Sequence, residues 1–448
     1  MDFSAQTPET LISAPHSCAC GRTHATTLRY LNIGPGAVKY LPQAMAASGV
    51  SRPFIVCDRN THAAAWRYVE PVLHQMDVHY TLHMLSNPRP EPDEHTMGEL
   101  VMSFDPDCDV VIALGSGVIN DCSKVLAHAV GKPSMVICTA PSMDGFASNS
   151  SSMIRDRVKV SLYNACPDAI LADTRILVDA PERMLQAGFG DMIAKYVSVC
   201  EWRFSHLITG EYYCENIAGL VRASLKKVVD AAPALKARDP KAVEATVEGL
   251  ILSGIAMSFA QISRPASGLE HYFSHMWEMM ALDRGEPSEL HGIQVGVGTL
   301  LTLNVLRYLA QVQPDRARAL AFVESFSDAE WEAQTRAIFG KAAQTIITQE
   351  HTKYHKNDAA QHAIRLERIV DNWPQLLTIM QEELPDADKL LALSKAVGMP
   401  TTPQQLGISL EDTHNAFLAS RDIRDKYLTS SLLWDLGLLY ETPLVIPE

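Results

Sequence analysis

The chain has 448 residues, a formal net charge of -14 at pH 7 and a hydrophobic content of 47%. This length and composition allow a large buried core and suggest two or more domains. The acidic balance argues against binding to nucleic acid or to an anionic membrane, so any phosphate must be held by a local site. The N-terminus lacks a secretory signal and no apolar run approaches the roughly 20 residues that a bilayer requires, so we expect a cytoplasmic protein.

The first 27 residues show no clear periodic pattern, and we treat 1–27 as an irregular lead-in. The nine cysteines of the chain are an odd number without a disulfide framework, which favours a reducing compartment. Only Cys18 and Cys20 are clustered, with His24 close behind. This group is compatible with half of a zinc knuckle, but a small N-terminal turn is the simpler interpretation because no second pair of soft ligands is obvious.

Residues 28–178 combine short apolar runs with segments of helical spacing, which predicts an α/β, Rossmann-like nucleotide-binding domain. Since the strands carry few polar residues, we expect a parallel sheet covered on both faces. The predicted strands are 28–33, 53–58, 78–85, 109–114 and 135–139, and the predicted helices between them are 37–47, 63–75, 95–104 and 118–130.

The pattern changes near residue 179, where helical spacing replaces strand signals. Residues 179–448 are therefore predicted to form an all-α domain that binds metal and substrate. Its clearest helical runs are 191–204, 212–231, 243–260 and 288–310. The segment 162–177 is predicted to be an extended seam, after which Pro181 begins a helix.

A glycine turn follows the predicted strand 109–114. Gly115 and Gly117 lead into a helix whose N–H groups and dipole would suit a pyrophosphate. Asn120 stands where the last glycine of a six-residue dinucleotide motif would fall, so an ordinary strand-to-helix turn is equally compatible. Asp58 ends the second long strand, where a carboxylate either accepts hydrogen bonds from a ribose or caps the next helix.

A candidate metal site lies in the helical half. His271 and His275 stand four residues apart on one predicted helix face, His291 opens the next helix, and Asp191 begins another helix after a glycine. One carboxylate and two imidazoles suit zinc, nickel or ferrous iron and leave coordination positions open for a substrate. Because the chain has 16 histidines, surface or capping roles also explain such a spacing.

Six motifs occur in the same order as in one known family, at 115–121, 139–148, 188–191, 263–268, 270–271 and 290–292, and a further match lies at 421–427. On these motifs the chain resembles the bacterial sn-glycerol-1-phosphate dehydrogenases. They belong to the superfamily of iron-containing alcohol dehydrogenases, glycerol dehydrogenases and dehydroquinate synthases. The resemblance covers roughly residues 28 to 440 and implies a dehydroquinate synthase-like fold.

The resemblance also implies roles for individual residues. Those implied to bind NAD or NADP are Gly115, Ser116, Gly117, Val118, Ile119, Thr139, Ser142 and Ser148, to which the strand pattern adds Asp58. Those implied to bind one divalent metal (nickel, zinc or iron) are Asp191, His271 and His291. Those implied to contact the substrate are Asp144, Asp191 and His275, of which Asp191 and His275 are the catalytic candidates.

The implied reaction is the reversible reduction of dihydroxyacetone phosphate to sn-glycerol-1-phosphate, a step of phospholipid metabolism. Hydride would move at substrate C2 while the metal holds the substrate oxygen. We expect the proton to pass through water or through His275, whose unperturbed pKa suits transfer near neutral pH. Candidate phosphate partners are Lys195, Arg264 and His275, although Lys195 is equally compatible with a surface charge of its helix.

Three alternatives remain open from the sequence. The same scaffold serves glycerol or alcohol dehydrogenases that act on an unphosphorylated polyol. It also serves dehydroquinate synthase-like lyases, whose first metal ligand is usually glutamate where this chain has Asp191. A non-catalytic binding protein is the third. The implied partners are a small phosphorylated polyol and further copies of the chain, as a dimer or larger homo-oligomer.

Overall fold

The N-terminal segment is more ordered than the sequence predicts. The computed structural model describes residues 2–156 and 158–447. Within 1–27 it contains helix α1 (Pro8–Ser13) and an antiparallel hairpin of β1 (His16–Ser17) and β2 (Thr23–His24). The hairpin turns at Gly21, whose φ of +83° favours glycine. The sequence pattern did not show these elements, because two-residue strands are too short to leave a periodic pattern, and the division at residue 27 stays a prediction.

Six parallel strands form the central sheet, and a separate two-stranded hairpin interrupts their sequence. In chain order the strands are β3 (Tyr30–Gly34), β4 (Pro53–Cys57), β5 (Thr81–Met84), β6 (Val110–Gly115), β7 (Ser134–Cys138), the hairpin β8 (Ser150–Arg155) and β9 (Val158–Tyr163), and β10 (Ala169–Asp173). The spatial order of the sheet is β3-β10-β7-β6-β4-β5. The five predicted strands are confirmed. The predicted seam contains β10, which pairs with both β3 and β7.

Helices cover both faces of this sheet, as the apolar strands predict. They are α2 (Leu41–Ser48), α3 (Arg59–Met76), α4 (Glu94–Ser103) and α5 (Gly117–Val130). Successive side chains of β6 enter different clusters: Ile112 packs in the cluster that contains Leu73 of α3, and Val111 in the cluster that contains Leu126 of α5. This alternation follows from the two-residue period of a strand. The expected α/β half with both sheet faces buried is confirmed.

After β10 the described chain is helical. The first helices are α6 (Thr174–Leu177), α7 (Glu182–Ile193), α8 (Lys195–Thr209), α9 (Glu215–Leu235), α10 (Pro240–Ala260), α11 (Leu269–Arg284) and α12 (His291–Leu309). The remaining ones are α13 (Arg316–Glu324), α14 (Asp328–Phe339), α15 (Ala343–Gln349), α16 (Ala359–Asp371), α17 (Trp373–Glu383), α18 (Ala387–Val397), α19 (Leu410–Ala419) and α20 (Thr429–Asp435). The predicted change from strands to helices is confirmed, whereas the domain boundary near 179 stays a prediction.

Helix α10 is the one helix, among residues 2–156 and 158–447, that is long and apolar enough to cross a membrane by length and composition. The protein itself buries 83% of the tested window of this helix. Its apolar surface is covered mainly by α9, by the short helical turn Gly145–Ala147 and by α7. An apolar helix that neighbours surround on all sides is typical of a protein core.

Helices α7 and α12 meet at backbone contact. A Cβ atom on Gly190 of α7 would lie 2.2 Å from the carbonyl oxygen of Gly292, and one on Gly292 would lie 2.1 Å from the carbonyl oxygen of Ala187. The sequence prediction that Asp191 begins a helix was wrong, because Asp191 lies in the last turn of α7. The preceding glycines resemble helix breakers in the sequence, but here they lie inside the helix, where a side chain would not fit.

We expect Gly190→Ala to destabilise the protein by roughly 1–3 kcal/mol, because the added methyl group forces α7 and α12 apart. Gly219→Ala is the matched control: Gly219 is also helical, but a Cβ there meets no atom within 4 Å. This control should be neutral or stabilising by up to about 1 kcal/mol, since alanine is the better helix former. Melting temperatures of the two variants test the contact, and equal values would contradict it.

Candidate active site

The glycine turn lies at the carboxyl end of β6, where α5 begins. A Cβ atom on Gly115 would lie 2.4 Å from the Cβ of Ile119, so only glycine allows this approach of strand and helix. Ser116, the N-cap residue, makes no side-chain cap hydrogen bond to α5. The first N–H groups of α5, which begin at Gly117, therefore lack a side-chain acceptor from the cap, an arrangement that suits a phosphate.

The loop after β7 runs beside this turn. The backbone N–H of Thr139 donates to the Gly115 carbonyl oxygen at 3.1 Å, and the hydroxyls of Ser116 and Ser142 lie 2.6 Å apart. The structure thus brings these expected cofactor residues together. The Ser148 hydroxyl is engaged elsewhere: it donates to the Ser150 carbonyl oxygen at 2.9 Å and accepts from a buried lysine, Lys124, at 3.3 Å.

Asp58 caps α3. One of its carboxylate oxygens accepts from the backbone N–H of Thr61 at 2.8 Å, and the Thr61 hydroxyl accepts from the Asp58 N–H at 2.9 Å. This capping box is the structural alternative that the sequence left open. Because β4 lies beside β6, Asp58 still lies on the sheet edge that carries the glycine turn. A contact with a ribose remains a prediction.

Asp191 is completely buried and is surrounded by donors. Its Oδ1 lies 3.1 Å from the Lys195 ammonium and 3.6 Å from His271 Nε2, and its Oδ2 accepts from the backbone N–H of Asp144 at 2.9 Å. Burial by itself would raise the pKa of Asp191, but the charge of Lys195 and its hydrogen bond lower the pKa below its ordinary value. The group is therefore a carboxylate at neutral pH.

His271 is held with one ring nitrogen toward Asp191. Its Nδ1 lies 2.9 Å from Oε1 of Glu270, which leaves Nε2 facing the Asp191 carboxylate. Burial, followed by the charge of Lys195, lowers the pKa of His271 well below its usual value. The imidazole is thus neutral, as a metal ligand must be, and a carboxylate behind the ring is the usual partner of a metal-binding histidine.

His291 lies at the first turn of α12, beside His271. The centroids of the two rings are 5.3 Å apart. The Nδ1 atom of His291 is 3.1 Å from the Ser274 hydroxyl and 3.4 Å from a Glu278 carboxylate oxygen. In both histidines Nδ1 is therefore held by a neighbouring oxygen, and Nε2 is the nitrogen that would bind a metal ion. With Asp191 they would offer one oxygen and two nitrogen ligands, a set whose chemistry suits a divalent cation of the first transition row or zinc.

His275 completes the cluster without a hydrogen-bond partner for Nδ1 in the part of the chain that the structure describes. Its ring centroid is 5.8 Å from that of His291, and Nδ1 is 3.7 Å from Glu278 Oε2, beyond hydrogen-bond distance. Burial lowers the pKa of His275 well below its ordinary value, and the nearby cations of Arg424 and Lys159 act in the same direction. The pKa thus lies below the ordinary value that suits proton transfer near neutral pH, although 15% of the side chain stays exposed.

Lys195 is fully buried, so its interpretation as a surface charge was wrong. Its ammonium lies between two carboxylates, 2.7 Å from Asp144 Oδ2 and 3.1 Å from Asp191 Oδ1. The Asp144 carboxylate also accepts from the Ser253 hydroxyl at 2.9 Å. Lys195 therefore neutralises two expected substrate-contacting residues, and this pairing disfavours it as a phosphate ligand.

Arg264, another expected phosphate partner, is also engaged. Its guanidinium pairs with Glu211 at 2.7 Å and donates to the Tyr427 carbonyl oxygen at 2.9 Å. It lines a large cleft of about 1030 Å³ together with basic residues such as Lys356, Arg421 and Lys426. Neither Asp191 nor any of the three clustered histidines lines this cleft. This cleft and the expected catalytic residues are thus separate features.

The sequence interpretation missed the residues that approach the histidines from outside α11. Lys159, in the β8–β9 hairpin, forms a short ion pair with Glu278. Arg424 donates to the Ser161 hydroxyl of the same hairpin at 3.4 Å. Glu278 could have been found, since it follows His275 by three residues on the same helix face. Arg424 lies in the matched motif 421–427, which indicates no role for it, and Lys159 carries no local signal, because only the tertiary fold brings both residues to α11.

Comparisons with known proteins identify the fold of the chain. Residues 32–181 match the sequence model of the family described as iron-containing alcohol dehydrogenase. A structure of glycerol dehydrogenase from Schizosaccharomyces pombe aligns with a TM-score of 0.61 and 16% identity, over 93% of this chain and 90% of that one. Maleylacetate reductase from Rhizobium sp. strain MTP-10005 aligns with a TM-score of 0.60 and 13% identity, over 94% and 97%. The fold is that of the iron-containing alcohol dehydrogenases.

Curated relatives define the family more closely. The glycerol-1-phosphate dehydrogenase [NAD(P)+] of Halalkalibacterium halodurans is 36% identical over 288 residues, which are 63% of this chain and 72% of that protein. The protein of the same name from Bacillus licheniformis is 28% identical over 427 residues, 94% of this chain and 93% of the relative. The chain belongs to the glycerol-1-phosphate dehydrogenase family.

We expect Lys195→Met to destabilise the metal-free protein by about 3–5 kcal/mol, because two buried carboxylates lose their counter-charge. Lys226→Met is the matched control, since Lys226 forms an exposed i,i+4 pair with Asp230 at 2.6 Å. An exposed pair contributes little, so the control should melt like the wild type. Thermal unfolding in the presence of a chelator measures the difference, and equal melting temperatures would show that the buried cluster is not charged.

Proposed function

We propose that this protein catalyses the reversible, NAD(P)-linked reduction of dihydroxyacetone phosphate to sn-glycerol-1-phosphate. One observation carries the proposal: Asp191, His271 and His291 converge in a chain whose curated relatives are glycerol-1-phosphate dehydrogenases. The three residues come from α7, α11 and α12, so their convergence is a property of the tertiary structure. A non-catalytic role would leave this donor set without an explanation.

The groups that the site requires are a nicotinamide nucleotide and one divalent ion. The turn from Gly115 to Ile119, with Thr139 and Ser142, would hold the nucleotide, and Asp191, His271 and His291 would hold the ion. The chemistry supplied on binding is hydride from the nicotinamide and positive charge beside the reacting substrate oxygen.

The residues of the chain itself would orient the substrate and neutralise the buried carboxylates. Lys195 keeps Asp191 ionised inside the protein, because its ammonium lies 3.1 Å from that carboxylate, and it also pairs with Asp144 at 2.7 Å. The partly exposed Asp144 carboxylate would accept a hydrogen bond from a substrate hydroxyl. His275, neutral and without a partner at Nδ1 in the described chain, is the group best able to exchange a proton with the substrate oxygen.

A cation beside His275 would bind the substrate phosphate. Arg424 is the better candidate, since it forms no ion pair in residues 2–156 and 158–447 and its guanidinium is near enough to lower the pKa of His275. Lys159 lies close by but is paired with Glu278. A guanidinium binds phosphate oxygens in two parallel hydrogen bonds, which gives both affinity and orientation.

We further propose that the protein acts in the cytoplasm as a homo-oligomer on this small phosphorylated polyol. All nine cysteines are free thiols in the structure, which supports a reducing compartment. Sedimentation or light scattering of the purified protein would measure the number of subunits.

Steady-state kinetics on dihydroxyacetone phosphate and on dihydroxyacetone, each with NADH and with NADPH, test the substrate. We expect net cofactor oxidation and a kcat/KM at least about 100-fold higher for the phosphorylated ketone. In the variant Arg424→Gln, the KM for dihydroxyacetone phosphate should rise roughly 10- to 100-fold, since a charge-assisted contact is lost.

The unphosphorylated ketone provides the internal reference, because Arg424→Gln should leave its kcat/KM unchanged. Arg368→Gln is the control variant, since Arg368 lines the large cleft that is separate from the histidines. Equal turnover of the two ketones by the wild-type enzyme would instead assign an unphosphorylated polyol as substrate. If neither ketone were reduced and no NADH were consumed, the assignment as a dehydrogenase would be contradicted.

Substitutions of the histidines separate metal binding from proton transfer. His291→Ala should lose the active-site metal and activity together, because it removes one of the three donors. His275→Ala should keep that metal and lose rate. Metal analysis of each variant, together with its kcat, measures both effects. Full metal content and turnover in His291→Ala would refute the ligand assignment, and full rate in His275→Ala would remove His275 from the reaction.

A further inference from the structure

The N-terminal hairpin meets the start of α9 in a cluster of soft metal ligands. Cys18 and Cys20 lie in the hairpin turn, His24 lies on β2, and Cys214 is the N-cap residue of α9. Only the first three of these residues lie close together along the sequence. The fourth ligand is missing from the local pattern because Cys214 follows Cys18 by 196 residues.

The four ligand atoms have the spacing of a tetrahedral site. All of them lie within 4.8 Å of one another. The sulfur atoms of Cys18 and Cys214 are 3.6 Å apart, and His24 Nε2 lies 3.3 Å from the Cys20 sulfur and 3.6 Å from the Cys214 sulfur. A tetrahedral zinc ion with ordinary bond lengths separates two sulfurs by roughly 3.7 Å and a sulfur from a nitrogen by roughly 3.5 Å.

The residues around the cluster orient its ligands. His24 Nδ1 is 3.0 Å from the carbonyl oxygen of Phe259, so this nitrogen carries the proton and Nε2 faces the sulfurs. A backbone carbonyl behind the ring is a usual arrangement for a metal-binding histidine. The side-chain amide of Asn216 donates to the Cys18 sulfur at 3.2 Å, a contact that stabilises a thiolate.

Burial and charge also suit a bound cation. His24 and Cys214 are each 1% exposed, whereas Cys18 and Cys20 are partly open to solvent and leave a route for an ion. Three thiolates around a divalent ion carry one net negative charge. The guanidinium of Arg22 lies 3.4 Å above the ring of Tyr212, whose hydroxyl is 3.4 Å from the Cys20 sulfur, and it supplies positive charge nearby.

We propose that Cys18, Cys20, His24 and Cys214 bind one zinc ion with a structural role. Three sulfurs and one nitrogen fill the tetrahedral coordination of zinc and leave no open position, which is the pattern of structural rather than catalytic sites. The ion fastens the N-terminal hairpin to α9. It shares no ligand with the Asp191, His271 and His291 site, so the proposal does not depend on the proposed function.

Metal analysis of the purified protein tests the site directly. We expect Cys214→Ser to contain one zinc ion per chain fewer than the wild type and to melt at a lower temperature. Cys108→Ser is the matched control, since Cys108 is buried and outside the cluster, and it should keep the zinc content of the wild type. Equal zinc content in Cys214→Ser and the wild type would overturn the proposal.

A spectroscopic measurement on folded protein guards against misfolding of the cysteine variant. Cobalt substituted for zinc should give a thiolate-to-metal charge-transfer band, which a site of one carboxylate and two imidazoles cannot produce. The band should persist in His291→Ala, where the proposed active-site metal is lost. Absence of the band from cobalt-loaded wild type, or a non-reducing mass that shows a Cys18–Cys214 disulfide in the purified protein, would refute a zinc site.

Discussion

The arrangement of the active site depends on one buried charge. Asp191 is removed from water, and an ionised carboxylate in that position is costly unless donors and cations surround it. Lys195 from α8 and the backbone N–H of Asp144 after β7 provide these partners, and Nε2 of the neutral His271 from α11 faces the same carboxylate at 3.6 Å. Three separate parts of the chain are therefore held at one carboxylate. A divalent ion at the same carboxylate would continue this pattern, since it adds positive charge where the protein already concentrates it.

Close backbone packing makes this convergence possible. At Gly190 and Gly292, α7 and α12 approach so nearly that a single methyl group would collide with a carbonyl oxygen. The contact sets Asp191, next to Gly190, near His291, next to Gly292. The glycine turn after β6 applies the same principle at Gly115, where the strand and helix meet without a side chain between them. Small residues thus determine which polar groups face one another.

The two candidate metal sites differ in the chemistry of their donors. Asp191 and two imidazoles, each anchored through Nδ1, would supply only three ligands to an ion, as catalytic sites do. Cys18, Cys20, His24 and Cys214 form a complete tetrahedral set and would serve the fold. The active-site residues lie on helices that pack next to each other. The cysteine cluster instead links the N-terminal segment to α9, whose N-cap residue Cys214 follows Cys18 by 196 residues in the sequence.

The sequence by itself determined most strands of the central sheet and the helical character of the second half of the chain. Periods of two and of three to four residues are local properties, and they located five of the six sheet strands, the helical C-terminal half and the pairing of His271 with His275 on one face. The tertiary structure decided the rest: that Asp191 ends a helix, that Lys195 is buried between carboxylates and that Cys214 joins the N-terminal cysteines. These relations depend on contacts between distant segments, and a local pattern carries no information about which segments will pack together.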